Sequence, residues 1–304
     1  MIPWVELYGE EFADIHNYVE RLKYLARDGH EGDLGIVQWF LSEPLWKGFL
    51  YLVVSVFDDY RAVLYGLSAF VALVYFSFLL KRVEFYIAII FLFNPMVVDL
   101  FMGQIRNAVA FSFVLIAYDL YENKKVHNNF TFIILFLAIF IHVSMLIYYA
   151  IFFILYQLNK RVENKKYYLV AILFAFIIAL FMKYGSNILL AMLGDRHADY
   201  KDVIGSSSLS YSIVWFMIAL VLATFADFSK EKERIFVAYA ITILSFFFFS
   251  SVLNMFAARY AAVIMPITII AIAYLPNHLK QGTYLFLLLY NLFSFKYWFV
   301  VTII

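Results

Sequence analysis

The chain has 304 residues, of which 65% are hydrophobic, 21% aromatic and 15% charged, with 23 Lys+Arg against 22 Asp+Glu and no cysteine. Its mean hydropathy is +0.84, which excludes an ordinary soluble domain, where about a quarter of the residues are charged. The near-neutral balance excludes a polybasic arm for nucleic acid or an anionic surface, and the missing cysteines exclude disulfides, thiol catalysis and sulfur-ligated metal. The fold class expected is all-α: a polytopic integral membrane protein whose spans, about 20 residues each, leave no room for a separate globular domain.

In chain order, residues 1–44 hold nine acidic residues against Arg21, Lys23 and Arg27 and are expected to sit in water outside the membrane. The start, MIPWVELYGEEF, lacks the basic region and apolar core of a cleavable signal, so insertion is expected to depend on internal spans. Residues 45–304 are expected to form a single transmembrane domain. Within it LWKGFLYLVVSVF, 45–57, is too short to span and reads as an interfacial helix. Spans are expected at 61–80, 84–100, 107–121, 167–182, 209–226, 235–252, 258–275 and 283–303. The apolar run 130–158 would be about 44 Å long as one helix, beyond a core of about 30 Å, so it is split at His142 into two short spans, giving about ten in all.

Lys and Arg in the short loops set the orientation. Placing Lys81-Arg82, Lys124-Lys125, Lys160-Arg161 with Lys165-Lys166, the Lys230–Arg234 cluster and Lys280 in the cytoplasm gives strict alternation. The breaks at 101–106 and His142, the loop 183–208 and the turn at 253–258 then lie outside with the acidic N-terminal segment.

FMGQIRNAVAFSF, 101–113, places Arg106 between apolar runs, where a charge facing lipid costs about 3 kcal/mol or more. The GQIRN turn is expected to break the chain there, Asn94-Pro95 having already disturbed the preceding helix, so that Gly103, Gln104, Arg106 and Asn107 face an outward cavity. A guanidinium at a helix N-terminus is an anion site. The alternative is an arginine that snorkels to the interface or pairs with Asp99. Arg259, in NMFAARYAAV, opens a span on the same side, and two cations would suit a ligand with two phosphates; an interfacial anchor beside Tyr260 is the alternative. His142 is a candidate general base, or a polar residue that satisfies backbone freed by the break. The other histidines lack ligand spacing, so no metal site is expected.

In the outer loop, Arg196, Tyr200 and Lys201 are within reach of a charged or sugar ligand, although alternating charges also simply keep a loop solvated. Glu43 and Asp14 are outer carboxylates able to accept a proton from an attacking hydroxyl. The aromatic run SFFFFSS, 245–251, reads as lipid-facing filler and interface belt.

The order of these features resembles the EpsG/Wzy family of bacterial polysaccharide polymerases. The similarity rests on D-x-x-x-Y (Asp14, Tyr18), an acidic-Pro followed by Phe (Glu43, Pro44, Phe49), G-x-I-R-x-x-x-A (Gly103, Ile105, Arg106, Ala110), H-x-S (His142, Ser144) and A-R-Y (Ala258, Arg259, Tyr260). It covers nearly the whole chain, except that family members usually begin with one or two spans before the acidic segment.

The resemblance implies a GT-C-like helical bundle with an outward-facing cavity in the bacterial inner membrane. It implies a glycosyltransferase that moves a glycan from undecaprenyl diphosphate to the non-reducing end of a lipid-linked repeat unit. By resemblance Arg106, His142 and Arg259 would be catalytic, with Glu43 the second choice to His142 for the acceptor proton; Gly103, Gln104, Asn107, Asp14, Arg196 and Tyr200 are the residues expected to bind substrate. No cofactor is implied. The partners would be the undecaprenyl-diphosphate-linked oligosaccharide, membrane lipid and a chain-length regulator, with no nucleic acid. A flippase for the same lipid would carry paired repeats and mid-membrane broken helices, and neither pattern is visible. A membrane acyltransferase would need a polar partner for His142, and none stands near it in the sequence. A glycan-to-lipid ligase shares the same chemistry.

Overall fold

The computed structural model describes residues 13–28, 36–123, 128–162, 164–185, 209–226, 231–255 and 257–303, and every regular element among them is an α-helix. The helices are α1 (Ala13–Asp28), α2 (Ile36–Leu41), α3 (Pro44–Val56), α4 (Tyr60–Leu80), α5 (Phe85–Leu92), α6 (Pro95–Gly103), α7 (Ile105–Glu122) and α8 (Asn128–Ile141). There follow α9 (Met145–Asn159), α10 (Asn164–Tyr184), α11 (Leu209–Phe225), α12 (Glu231–Val252), α13 (Ala258–Val263), α14 (Met265–Ala273) and α15 (Asn277–Ile303). The chain divides into two compact units, Met1–Ile147 with Leu288–Ile304, and Tyr148–Leu287.

Among the described residues three helices are long and apolar enough to cross a membrane alone, Tyr60–Leu80, Lys166–Tyr184 and Glu233–Val252. A fourth is formed if α5 and α6, bent by 63° at their junction, count as one span. That bend falls at Asn94-Pro95. Pro95 has no N–H to continue α5, and Asn94 caps α6 by accepting the Met96 amide at 2.9 Å. The run 130–158 is broken as expected, α8 ending at Ile141 and α9 beginning at Met145. The span expected over 258–275 is a correction: it divides at Ile264 into α13 and α14, with Pro266 in the first turn of α14.

In the first unit, α7 packs against α4, α6 and α8, and α3 packs against α1, α2, α4 and α8. The N-terminal segment differs from a merely solvated stretch. Ile15, Tyr18, Val19, Leu22 and Leu25 recur at helical spacing on α1 and are all buried, so this helix lays one apolar stripe on its neighbours and keeps Glu20 and Lys23 in water. Tyr18 meets Trp46 edge-on at 5.4 Å, which ties α1 to α3 beside Glu43.

At the far end of α7, Asp119 and Glu122 hold Arg82, which donates to Asp119 Oδ1 at 2.7 Å and to the Phe78 carbonyl at 2.9 Å, with Lys81 also on Asp119. The Arg82 guanidinium lies 3.9 Å from the centre of the Phe78 ring on its own side and 5.3 Å from that of Tyr118 on α7, so the α4–α7 seam is closed by charge and by ring contact together.

In the second unit, α12 packs against α10, α11, α13 and α14, and 78% of its spanning window is buried. A helix apolar on every side belongs inside a bundle. This overturns the lipid-facing reading of SFFFFSS: Phe246 and Phe247 are buried core residues, while Phe248 stacks on Phe216 at 4.3 Å. The helix ends in a Schellman motif, with Asn254 left-handed (φ 54°) and the Met255 amide donating to the Ser250 carbonyl at 2.8 Å.

Candidate functional site

Three chain breaks meet in the first unit: the start of α3, the α6–α7 junction and the α8–α9 junction. Each break frees backbone groups and displays polar side chains within an otherwise apolar bundle. At the first, Glu43 precedes a proline in the first turn of α3 and adopts a left-handed backbone (φ 57°, ψ 64°), a costly conformation for a residue with a Cβ. Its carbonyl accepts the Lys47 amide at 3.0 Å, opening the helix, but its side chain does not cap α3. That side chain is turned instead toward the other two breaks.

Glu43 Oε2 pairs with Arg106 Nη1, and Oε1 pairs with His142 Nδ1 while also accepting the Val143 amide at 3.2 Å. The carboxylate is 8% exposed against 33% for the Arg106 side chain and 19% for His142, so the anion is enclosed and both of its partners reach outward past it. A carboxylate can only accept. His142 therefore carries its proton on Nδ1, leaving Nε2 as the second ring nitrogen. Burial pushes the Glu43 carboxyl up, but the His142 hydrogen bond, the Arg106 charge and the Val143 amide outweigh it and hold the group below the usual carboxylate range.

Around this triad the α6–α7 junction is one residue long. Gly103 closes α6, Gln104 stands between the helices, and Arg106 is the second residue of α7, where its charge opposes the helix dipole and so needs an anion beside it. Gln104 Nε2 donates to Asp99 Oδ2 at 2.7 Å. Gln104 Oε1, Asn107 Oδ1 and Ser144 Oγ are buried with no hydrogen-bond partner among the described residues. Three such atoms within two residues of Arg106 or His142 concentrate unused polar capacity at the site.

Of the residues expected from sequence, Glu43, Arg106 and His142 come together, with Gln104 and Asn107 flanking Arg106 in the chain. Arg106 forms an ion pair with Glu43, and Asp99 accepts from Gln104. The absence of a polar partner for His142 is corrected, because Glu43 supplies one from 99 residues away. Asp14 lies on α1, but its side chain is outside the described residues, as are Arg196 and Tyr200 altogether. Arg259 belongs to the second unit, exposed as the second residue of α13, next to Tyr260, whose ring meets Phe246 at 5.3 Å and Tyr148 at 5.8 Å. The Val143 amide was not expected in the site; the only sequence sign of it is the break at His142. Among the described residues no three His, Cys, Asp or Glu are grouped to hold a metal ion.

The profile of the EpsG family matches residues 7–304, nearly the whole chain. No curated protein and no solved structure matches it.

Proposed function

The chain belongs to the EpsG family, membrane proteins of polysaccharide biosynthesis, and from that premise we propose that it is a polymerase of bacterial surface polysaccharide, either O-antigen or capsule. The reaction is transfer of a glycan from undecaprenyl diphosphate to the non-reducing-end hydroxyl of a lipid-linked repeat unit. The bond from the sugar anomeric carbon to the diphosphate oxygen breaks, a bond to the acceptor oxygen forms, and the hydroxyl proton leaves to a base. The observation that carries this reading is the meeting of Glu43, Arg106 and His142 at three chain breaks. Arg106 stabilises the charge that develops on the leaving diphosphate. His142 Nε2 takes the acceptor proton, with Glu43 stabilising the imidazolium that results. Arg259 is a second candidate cation for a diphosphate, tested separately by Arg259→Lys.

The placement of charge supports an outward-facing site. Arg106 opens α7 and Asp119 and Glu122 close it with Lys81 and Arg82, so the triad and the basic cluster stand about 20 Å apart along one 18-residue helix. Basic clusters favour the cytoplasmic side, and on that ground we propose a periplasmic triad in an inner-membrane bundle of about ten spans. Gly103, Gln104, Asn107, Asp14, Arg196 and Tyr200 are proposed to contact the sugar-lipid substrate. A chain-length regulator is the proposed protein partner, and no cofactor takes part.

One observation favours a second reading. A carboxylate-oriented histidine is also what a membrane acyltransferase acting on the glycan requires. Deletion of the gene in its native host separates the possibilities: a polymerase leaves surface glycan with a single repeat unit, loss of a flippase removes the glycan, and loss of an acyltransferase leaves chain length unchanged. Full-length glycan in the deletion strain overturns the polymerase assignment.

A further inference from the structure

Both oxygens of Glu43 are in use, one on Arg106 and the other on His142 and the Val143 amide. The one strong cation of the triad is therefore already neutralised by a buried carboxylate before any ligand arrives. A phosphate oxygen and the Glu43 carboxylate are like charges that would seek the same Arg106 nitrogen, and like charges at contact in an enclosed site repel strongly. The Glu43 backbone is also held left-handed ahead of a proline, a strain that persists only while its surroundings fix it.

We propose that Glu43 is the resident counter-anion of the site, which an incoming diphosphate displaces from Arg106, so that binding of the anion is coupled to the Glu43–His142 contact. This rests on the assignment of Arg106 to the diphosphate. Once Arg106 turns to the ligand, the Glu43 charge is no longer shared, and the carboxylate becomes a stronger acceptor for the Nδ1 proton of His142. That strengthens Nε2 as a base at the moment when a donor is in place. Without a donor, Glu43 keeps the cation occupied and the histidine less basic. The device orders the two halves of the reaction, donor first and proton transfer second.

The coupling has a signature that a merely structural Glu43 lacks. Glu43→Gln keeps the size of the side chain and one of its two acceptor atoms but removes the competing charge. Full-length protein in lipid nanodiscs is titrated with inorganic diphosphate by calorimetry at fixed ionic strength, and the same variants are scored for surface glycan in the deletion strain. The expected result is binding about tenfold tighter in Glu43→Gln than in wild type, with chain elongation lost. Equal or weaker binding in Glu43→Gln overturns the inference, as does absence of binding in both proteins. If Glu43→Gln does not purify as a folded helical protein, Glu43→Asp, one methylene too short to hold Arg106 as closely, takes its place. Tightening is then expected to be smaller, and equal or weaker binding is again decisive against the inference. Failure of the polymerase assignment looks different: unchanged glycan in the deletion strain, or undiminished diphosphate binding in Arg106→Gln, whatever Glu43→Gln does.

Discussion

Glu43 and Arg106, 63 residues apart in the chain, meet as an ion pair between the start of α3 and the start of α7. The pair joins two helices that both pack against α4 and α8. Because the carboxylate is 8% exposed, it cannot be treated as a surface salt bridge of little consequence.

Removing the carboxylate is expected to cost stability as well as activity. Glu43→Ala leaves Arg106 and the Val143 amide without their acceptor, and breaking one side of a buried pair costs about 3 kcal/mol. Some of that cost is offset by the partial exposure of Arg106, but the left-handed backbone at position 43 is not relieved, since alanine also carries a Cβ. Thermal unfolding in a fixed detergent is expected to fall by several degrees, and an unchanged midpoint would show that the pair contributes nothing net.

Arg106→Lys keeps the charge and tests the shape of the cation. Lysine lacks the planar fork that can bind two diphosphate oxygens at once, so long glycan chains are expected to disappear while the protein still accumulates in the membrane. The readout is a surface-glycan ladder in the complemented deletion strain beside an immunoblot for the protein. Normal ladders at normal expression would remove Arg106 from the reaction.

The Glu43 network is expected to make stability depend on acidic pH. In the folded state its carboxyl sits below the usual range, whereas in the unfolded chain it titrates near about 4.3. The folded protein therefore binds fewer protons than the unfolded chain between the two values. The contribution of Glu43 is full above the unfolded value and is lost as pH falls through the folded one. The difference in melting temperature between wild type and Glu43→Gln should be constant from pH 7 down to about 5 and shrink below that. A difference that stayed constant to pH 3 would contradict the shift.

Much of this site could be read from the sequence, because charged and breaking residues are conspicuous within apolar runs. Asn94-Pro95, the GQIRN turn and His142 each announced a break, and each is one. What could not be read is which breaks meet. Glu43, Arg106 and His142 are drawn together by packing of α3 and α7 with α8, and no local pattern encodes a contact across 99 residues. For the same reason the aromatic run of α12 gave no sign of facing a core: periodicity cannot tell lipid from protein when every side of a helix is apolar. The amphipathic stripe of α1 was legible at 3.6-residue spacing but was masked by its acidic neighbours. Pro266 was visible, yet whether a proline kinks a span or divides it depends on the helices around it.

The far end of α7 offers a control on the triad. Arg82→Met removes the guanidinium from Asp119 and Glu122 and from its place over the Phe78 ring, leaving Asp119, only 15% exposed, with Lys81 alone. Stability is expected to drop, but by less than the roughly 3 kcal/mol of a buried charge left wholly unpaired, because Lys81 still meets Asp119. Chain length per folded molecule should be unchanged, because this cluster and the triad stand at opposite ends of the helix. Short chains from a well-folded Arg82→Met protein would mean that the two ends are coupled through α7.

The assignment of the triad to the outer face can be tested without first building a cysteine-free background, since the natural sequence has no cysteine. Asp58, between α3 and α4, and Asn123, following α7, are both exposed and lie on opposite sides in the expected alternation. In intact spheroplasts an impermeant maleimide should label Asp58→Cys and should reach Asn123→Cys only after the membrane is opened. Labelling in the reverse order would turn the protein over and place Glu43, Arg106 and His142 in the cytoplasm, where a periplasmic polymerase could not use them. Labelling of both in intact spheroplasts would instead require an even number of crossings between residues 58 and 123, and would contradict either α4, the bent α5–α6 pair or α7 as a span.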